Sequence, residues 1–140
     1  MTAADASLIE ALTGALSSGT VISDPDAMSA YRWDRANDPN AGMPLAVVRV
    51  TSTGEVQAVV RLAAAAGVAI VPRGAGSGLS GGSTSIDGCI VVSVDRMREI
   101  TVDPVTRTVV AQPGAINAEV KAAAAEHGLG YPPDPASFQV

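Results

Sequence analysis

The chain has 140 residues, enough for one domain with a real core or for part of a larger one. Its composition is 47% hydrophobic but only 3% aromatic, so the core must be built from Val, Ile, Leu and Ala. A net charge of -5 and a pI near 4.6 exclude nucleic acid as the expected partner, because phosphate backbones select basic faces. The lone Cys89 excludes an internal disulfide and, with no His or Cys beside it, a cysteine-based zinc site; in its strand pattern it reads as a small core residue. No Lys or Arg precedes Arg32, unlike a secretory signal, and the apolar run from Leu62 to Pro72 is too short to span a bilayer. The expected location is the cytoplasm, including its membrane periphery.

In chain order, Leu8, Leu12, Ala15 and Leu16 keep helical spacing, Ser7 and Glu10 have the spacing of a capping box, and Gly19 closes the run. Tyr31-Arg32-Trp33-Asp34 opens a polar stretch, bearing Pro and Gly, that reaches Pro44 and reads as a lead-in. Its large aromatics fit the burial of an N-terminal arm. The expected organisation is an N-terminal helix and lead-in over 1–43 and a main domain over 44–140. Ala46 to Val50 reads as a strand. Ser52 and Glu55 make a second capping box, Val56, Val59, Val60 and Ala63 line one helical face, and Gly67 stands where a left-handed cap is wanted. Val68 to Val71 completes a strand-helix-strand unit, right-handed by the usual rule. Ile90 to Val94 is the next strand, and Ile100 to Val102 with Thr108 to Ala111 reads as a hairpin turned by Asp103-Pro104. Pro113-Gly114 breaks the hairpin, and Ile116, Val120, Ala123 and Ala124 lay out a last amphipathic helix closed by Gly128. Tyr131 to Ser137 reads as a rigid, extended loop rich in proline, inside which the chain stops.

The chemistry is concentrated after Val71, in Pro72-Arg73-Gly74-Ala75-Gly76-Ser77-Gly78-Leu79-Ser80-Gly81-Gly82. Glycines this dense admit positive φ and leave no Cβ to obstruct a ligand, so successive N–H groups can converge on a phosphate or pyrophosphate. The loop lacks the Lys-Ser/Thr ending of a nucleoside-triphosphate loop. It matches G-x-G-x-x-G literally at Gly76, Gly78 and Gly81, with Asp95 as an acid farther on. That dinucleotide fingerprint needs a helix to open at the glycines. Only Ser83 to Gly88 separates Gly82 from the strand at Cys89, and a crossover between parallel strands needs about a dozen residues. The match is a decoy. Asp34 and Asp38 read as surface or turn acids, and Asp134 as an acid holding its own turn.

The loop from Pro72 to Gly82, then Gln112-Pro113-Gly114, then Pro132-Pro133-Asp134-Pro135-Ala136-Ser137 resemble one family in order and spacing. It is the FAD-linked oxidases and dehydrogenases of the p-cresol methylhydroxylase (PCMH) and vanillyl-alcohol oxidase type. The nearest branch holds the flavin subunit of glycolate oxidase and the FAD-dependent D-lactate dehydrogenases. The resemblance runs from Ala46 to Val140, and Tyr31 to Asp34 stands where that branch has a Tyr-plus-Asp lead-in. It implies an α+β fold: a PCMH-type FAD-binding domain of two α+β subdomains gripping FAD, the first ending near Val94, the second starting near Ile100 and truncated. It implies that Pro72, Arg73, Gly74, Ala75, Gly76, Ser77, Gly78 and Leu79 wrap the pyrophosphate with backbone amides. Pro133, Asp134 and Ser137 would lie along the cofactor, Ser137 as a hydroxyl donor, and Gly114 would turn the second sheet into its helix. The implied function is the FAD-binding portion of a dehydrogenase or oxidase of a 2-hydroxy acid, D-lactate or glycolate type. Electrons would pass to a quinone, cytochrome, partner flavoprotein or oxygen.

Two departures qualify the resemblance. Several relatives bond the flavin to a histidine where Ser77 stands, so FAD is expected to be non-covalent. The only histidine, His127, falls at a helix end, where it can favour the helix dipole. The family's catalytic residues and metal ligands lie downstream of Val140, so no catalytic residue and no metal ligand is assigned, and the expectation is an N-terminal fragment inactive by itself. Two alternatives stand beside this one: a truncated, non-catalytic remnant, and a ligand-free α/β interaction module whose glycine loop is only a tight connection.

Overall fold

The computed structural model describes residues 2–133, 135, 136 and 139. The first half runs α1 (Ala3–Ala15), β1 (Val21–Ile22), α2 (Pro25–Ser29), β2 (Ala46–Arg49), α3 (Thr53–Ala66), β3 (Ile70–Arg73) and β4 (Ile90–Ser93). The second half holds β5 (Ile100–Asp103), β6 (Thr108–Ala111) and α4 (Asn117–Glu126). Strands β1 to β4 form one sheet in the order β1-β2-β4-β3, and β5 and β6 form a separate antiparallel pair. Among the described residues no helix is long and apolar enough to cross a membrane.

The sheet is built around β4. Its residues pair in parallel with β2, Ala46 opposite Ile90 through Arg49 opposite Ser93, and with β3, Ile70 opposite Ile90 through Arg73 opposite Ser93. Strands covered on both faces need apolar side chains at every position rather than at alternate ones, as Ala46-Val47-Val48 and Ile90-Val91-Val92 show. On one face Ala46, Val48, Val50, Ile90 and Val92 meet Leu8 and Leu12 of α1 and Val59 and Ala63 of α3. On the other, Val47, Val71, Cys89 and Val91 meet Met28, with Ile22 and Tyr31 at the margin. Cys89 is fully buried and burial pushes its thiol pKa up, so it packs as an inert core residue.

Several local expectations shift. The capping box of α1 is Thr2 with Asp5, not Ser7 with Glu10: the Asp5 N–H donates to Thr2 Oγ1, and the Thr2 N–H to Asp5 Oδ2. Only half of the second box forms, since Ser52 caps the Glu55 N–H while the Glu55 carboxylate turns elsewhere. Val60 is 46% exposed, and Leu62 packs against the core in its place. Strand β3 begins at Ile70 rather than Val68 because the Val68 N–H closes the end of α3 on Ala63 O, behind the left-handed Gly67. The strands β2 and β3 that flank α3 are not neighbours; β4 lies between them. Adjacent parallel β3 and β4 are thus joined by residues 74–89 with no helix at all. Strand β1 and helix α2, between α1 and the lead-in, escape a periodicity argument because they are too short to show one.

In the second half, Asp103 accepts from the N–H groups of Val105 and Thr106 and from Thr106 Oγ1, and these bonds hold its pKa below the usual carboxylate value. Val120 and Ala124 of α4 are buried, while Val105 and Val110 of the hairpin stay 89% and 72% exposed. The two halves meet at Gly114, where a Cβ would lie 2.0 Å from Val94 O and 2.9 Å from Met97 O. Its N–H donates to that same Met97 carbonyl at 2.8 Å.

Glu55 ties α1 to α3. Its carboxylate accepts from the Ser17 N–H just after α1 and from both the N–H and hydroxyl of Thr51 just before α3. Burial pushes its pKa up, but the bonds from Thr51 and Ser17 outweigh it and hold the group at about 2, against an ordinary 4.5. A carboxyl whose pKa is depressed on folding stabilises the fold above its unfolded pKa and loses that contribution as the pH falls through the folded one. Glu55→Gln is expected to cost about 1.5 kcal/mol at neutral pH. In melts at stepped pH, the gap to the wild type should close between pH 4.5 and about 2. Gly114→Ala, which sets a methyl against backbone carbonyls that cannot swing aside, is expected to lose roughly 3 kcal/mol in the same melts.

Candidate functional site

Strand β3 is an edge strand, so Pro72 costs the sheet no interior hydrogen bond. Arg73 follows, and its guanidinium turns back onto the lead-in. Nη1 donates to Trp33 O at 2.8 Å and lies 3.5 Å from Tyr31 O, Nη2 lies 3.5 Å from Ala30 O, and the group stands 5.7 Å from the centre of the Tyr31 ring. Burial pushes the Arg73 pKa down, while the charge of Asp34 and the Tyr31 side chain push it up. Gly76 sits directly over this group with φ +69; a Cβ there would come within 2.2 Å of Arg73 Nη2. No other residue type has both the backbone freedom and the missing side chain that this crossing needs.

Beyond Arg73 the backbone stops pairing with itself. Among the described residues, no N–H from Gly74 to Ser83 donates to a protein acceptor; the bonds resume with Thr84 N to Gly81 O and Ser85 N to Arg32 O. A run of free amides in a glycine-rich turn is the donor array that an oxyanion requires.

The floor beneath it is the lead-in. Ser85 Oγ donates to Gly42 O at 2.6 Å, and Arg32 donates from Nε to Gly42 O and from Nη2 to Ala41 O. The Arg32 guanidinium also stacks 4.5 Å from the centre of the Trp33 ring. Asp34 Oδ1 accepts from the Ala36 N–H at 2.9 Å and from Thr84 Oγ1 at 3.3 Å. Asp34 is a turn acid, as the bond from Ala36 two residues on shows, but at 6% exposure it is buried rather than on the surface, because it is folded under the glycine segment. Asp38 is a turn acid, accepting from the N–H and side-chain amide of Asn40. The clustered Tyr31, Arg32, Trp33 and Asp34 were the sequence signal for this floor.

The opposite wall comes from the second half. Gly74 and Ala75 face Asp95, Arg98, Pro113, Gly114, Ala115 and Ile116 across a cleft of about 210 Å³ at the C-terminal ends of β3 and β4. Asp95 is fully engaged there: Arg49 pairs with it, Ser93 Oγ donates to its Oδ1 at 2.7 Å, and the Arg49 bond holds its pKa below the usual value. Its carboxylate is tied to side chains rather than held open for a ribose, as the decoy fingerprint would need. Of residues 72–79, Gly74 and Ala75 line this cleft and the others do not, and the Leu79 side chain is 78% exposed. Pro133 is exposed and does not line the cleft, and Asp134 and Ser137 lie outside the described residues. His127 ends α4 on the surface, its N–H bonded to Ala124 O. Among the described residues no three His, Cys, Asp or Glu side chains are grouped to hold a metal ion.

Comparison with known proteins agrees with this geometry. The FAD binding domain family matches residues 44–140. D-2-hydroxyglutarate dehydrogenase of Stutzerimonas stutzeri is 40% identical over 134 residues, which is 95% of this chain and 29% of that protein. D-lactate dehydrogenase of Archaeoglobus fulgidus is 34% identical over 109 residues, 76% of this chain and 25% of that protein. The chain therefore spans under a third of the length of these relatives. The crystal structure of p-cresol methylhydroxylase superposes with a TM-score of 0.79 at 20% identity, covering 92% of this chain and 26% of that one. That likeness shows the fold, the α+β FAD-binding architecture of the PCMH type. With a donor-lined glycine segment at the ends of two parallel strands and a match over 44–140, the chain belongs to the FAD binding domain family, and its cofactor is FAD.

Proposed function

We propose that residues 72–79 hold the pyrophosphate of FAD without a covalent bond, and that the intact protein oxidises a 2-hydroxy acid. The observation that carries the proposal is the run of amides from Gly74 to Ser83 with no internal acceptor. Gly76 and Ser77 in this run are half-buried and their neighbours exposed, so the donors are open to a ligand, and a pyrophosphate is the part of FAD that accepts many N–H donors at once. Gly76 keeps the segment low over Arg73, and Gly114 brings the second half close enough to form the far wall. Ser77 offers the flavin ring no nucleophilic nitrogen where some relatives of this type place histidine. FAD supplies a two-electron acceptor for the hydride of the substrate; the chain's own part is to bind and orient it. Pro133, Asp134 and Ser137 complete the proposed cofactor wall.

The substrate class follows the relatives, which are dehydrogenases of D-2-hydroxyglutarate and D-lactate. Both substrates are 2-hydroxy carboxylates, and glycolate is the smallest member of that class. In the intact protein a quinone, cytochrome or flavoprotein would take the electrons, in the cytoplasm or at its membrane face. The family match favours this reading over a ligand-free interaction module.

The test is the visible spectrum of the full native protein before and after acid precipitation. Flavin bands that move to the supernatant are expected; colour retained in the pellet contradicts non-covalent binding, and a protein colourless even with added FAD contradicts the site. Anaerobic addition of D-lactate, glycolate or D-2-hydroxyglutarate should bleach the bands with at least one of them, and bleaching by none removes the substrate class. Gly76→Ala, which places a side chain at positive φ against Arg73, is expected to weaken FAD binding at least about tenfold in a fluorescence titration.

A further inference from the structure

Asp34 carries an oxygen that the fold leaves unused. The residue is 6% exposed and its Oδ1 is satisfied by the Ala36 N–H and the Thr84 hydroxyl. Oδ2 is buried with no donor among the described residues. An acceptor-only group in that state is costly, and more so when charged. Arg73, which feels its charge, is committed instead to the carbonyls of the lead-in. What does stand beside Oδ2 is Gly78: a Cβ built there would be 3.6 Å away, so the bare backbone of the glycine segment faces the oxygen. That backbone belongs to the run of N–H groups with no acceptor. A buried acceptor without a donor thus lies against donors without an acceptor.

We propose that Asp34 is the positioning residue of the glycine segment, its Oδ2 receiving one backbone N–H of the turn Ser77–Leu79 when the segment closes on a pyrophosphate. The inference rests on residues 72–79 being the pyrophosphate site. Drawing one amide inward from behind sets the curvature of the turn, so that its neighbours converge outward on the anion. A carboxylate suits this place because all three of its neighbours, the Ala36 N–H, the Thr84 hydroxyl and the loop amide, are donors. Asparagine cannot serve them all, since its NH₂ would face a donor. The negative charge lies behind the turn, and Arg73 is close enough for the two charges to interact.

The experiment compares the full native protein with Asp34→Asn and Thr84→Val, by FAD titration, by melting of the FAD-free form and by amide hydrogen exchange across Ser77–Leu79. In the wild type FAD should slow exchange within that turn. Asp34→Asn should bind FAD at least about tenfold more weakly at a nearly unchanged FAD-free melting temperature, and lose the slowed exchange. Thr84→Val, which removes one bond to Oδ1 and keeps the carboxylate, should lose less in the same direction. An FAD affinity equal to the wild type in folded Asp34→Asn overturns the proposal. If that variant does not fold, equal affinity and equal exchange in Thr84→Val overturn it. A wild type that does not bind FAD defeats the site itself, whereas tight wild-type binding with indifferent variants defeats only the role of Asp34.

Discussion

The pairing of β3 with β4 is the constraint on which the rest of the molecule depends. Two parallel neighbours cannot be joined by a tight turn, because the chain must travel back the length of the strand before it can pair again. In most such units a helix makes that journey. Here residues 74–89 make it without one, so the path from the end of β3 to the start of β4 must be held by other means. The lead-in supplies them. Arg73 grips the carbonyls around Trp33, Ser85 and Arg32 bind the backbone at Gly42, and Thr84 meets Asp34. A connection that a helix would have satisfied internally is left with unpaired amides, and those amides form the surface proposed for FAD.

This explains how an acidic chain can hold an anionic cofactor. Arg98 lines the cleft 3.8 Å from Glu119, and three other arginines around the site are occupied, Arg32 and Arg73 on backbone carbonyls and Arg49 on Asp95. Their work is to fix the backbone. In the proposed site backbone N–H dipoles, which carry no net charge, meet the anion, with Arg98 on the facing wall. Gly76 and Gly114 serve the same end from the steric side, Gly76 admitting the Arg73 guanidinium against its backbone and Gly114 letting two backbone segments meet.

Between the two halves the packing is uneven. The first has two cores, one on each face of a sheet whose central strands β2 and β4 are buried. The second has a two-stranded sheet with α4 against it and large apolar side chains, Val105 and Val110, open to solvent. The cleft lies where the first presents its strand ends and the second its Pro113–Ile116 turn. Movement of one half against the other would change the width of that cleft without breaking either core.

What the sequence by itself determined was everything that local periodicity or backbone chemistry can encode. The apolar runs of β2 and β4, the amphipathic faces of α1, α3 and α4, the hairpin around Asp103 and the left-handed Gly67 are each dictated within a dozen residues. So was the glycine segment, whose composition admits few other uses, and the order of three motifs that pointed to FAD. Tertiary structure decided what depends on partners far away in the chain. The Glu55 carboxylate forsakes its own cap for Ser17 and Thr51 because α1 packs beside α3. Strand β4 inserts between β2 and β3 because only the central position covers both its faces. Asp34, to all local appearance a turn acid, is buried because the segment at Gly78 and Thr84 folds over it. Local signals specify which residues can form an element; only the assembled core specifies which polar atoms lose water, and those atoms make the site.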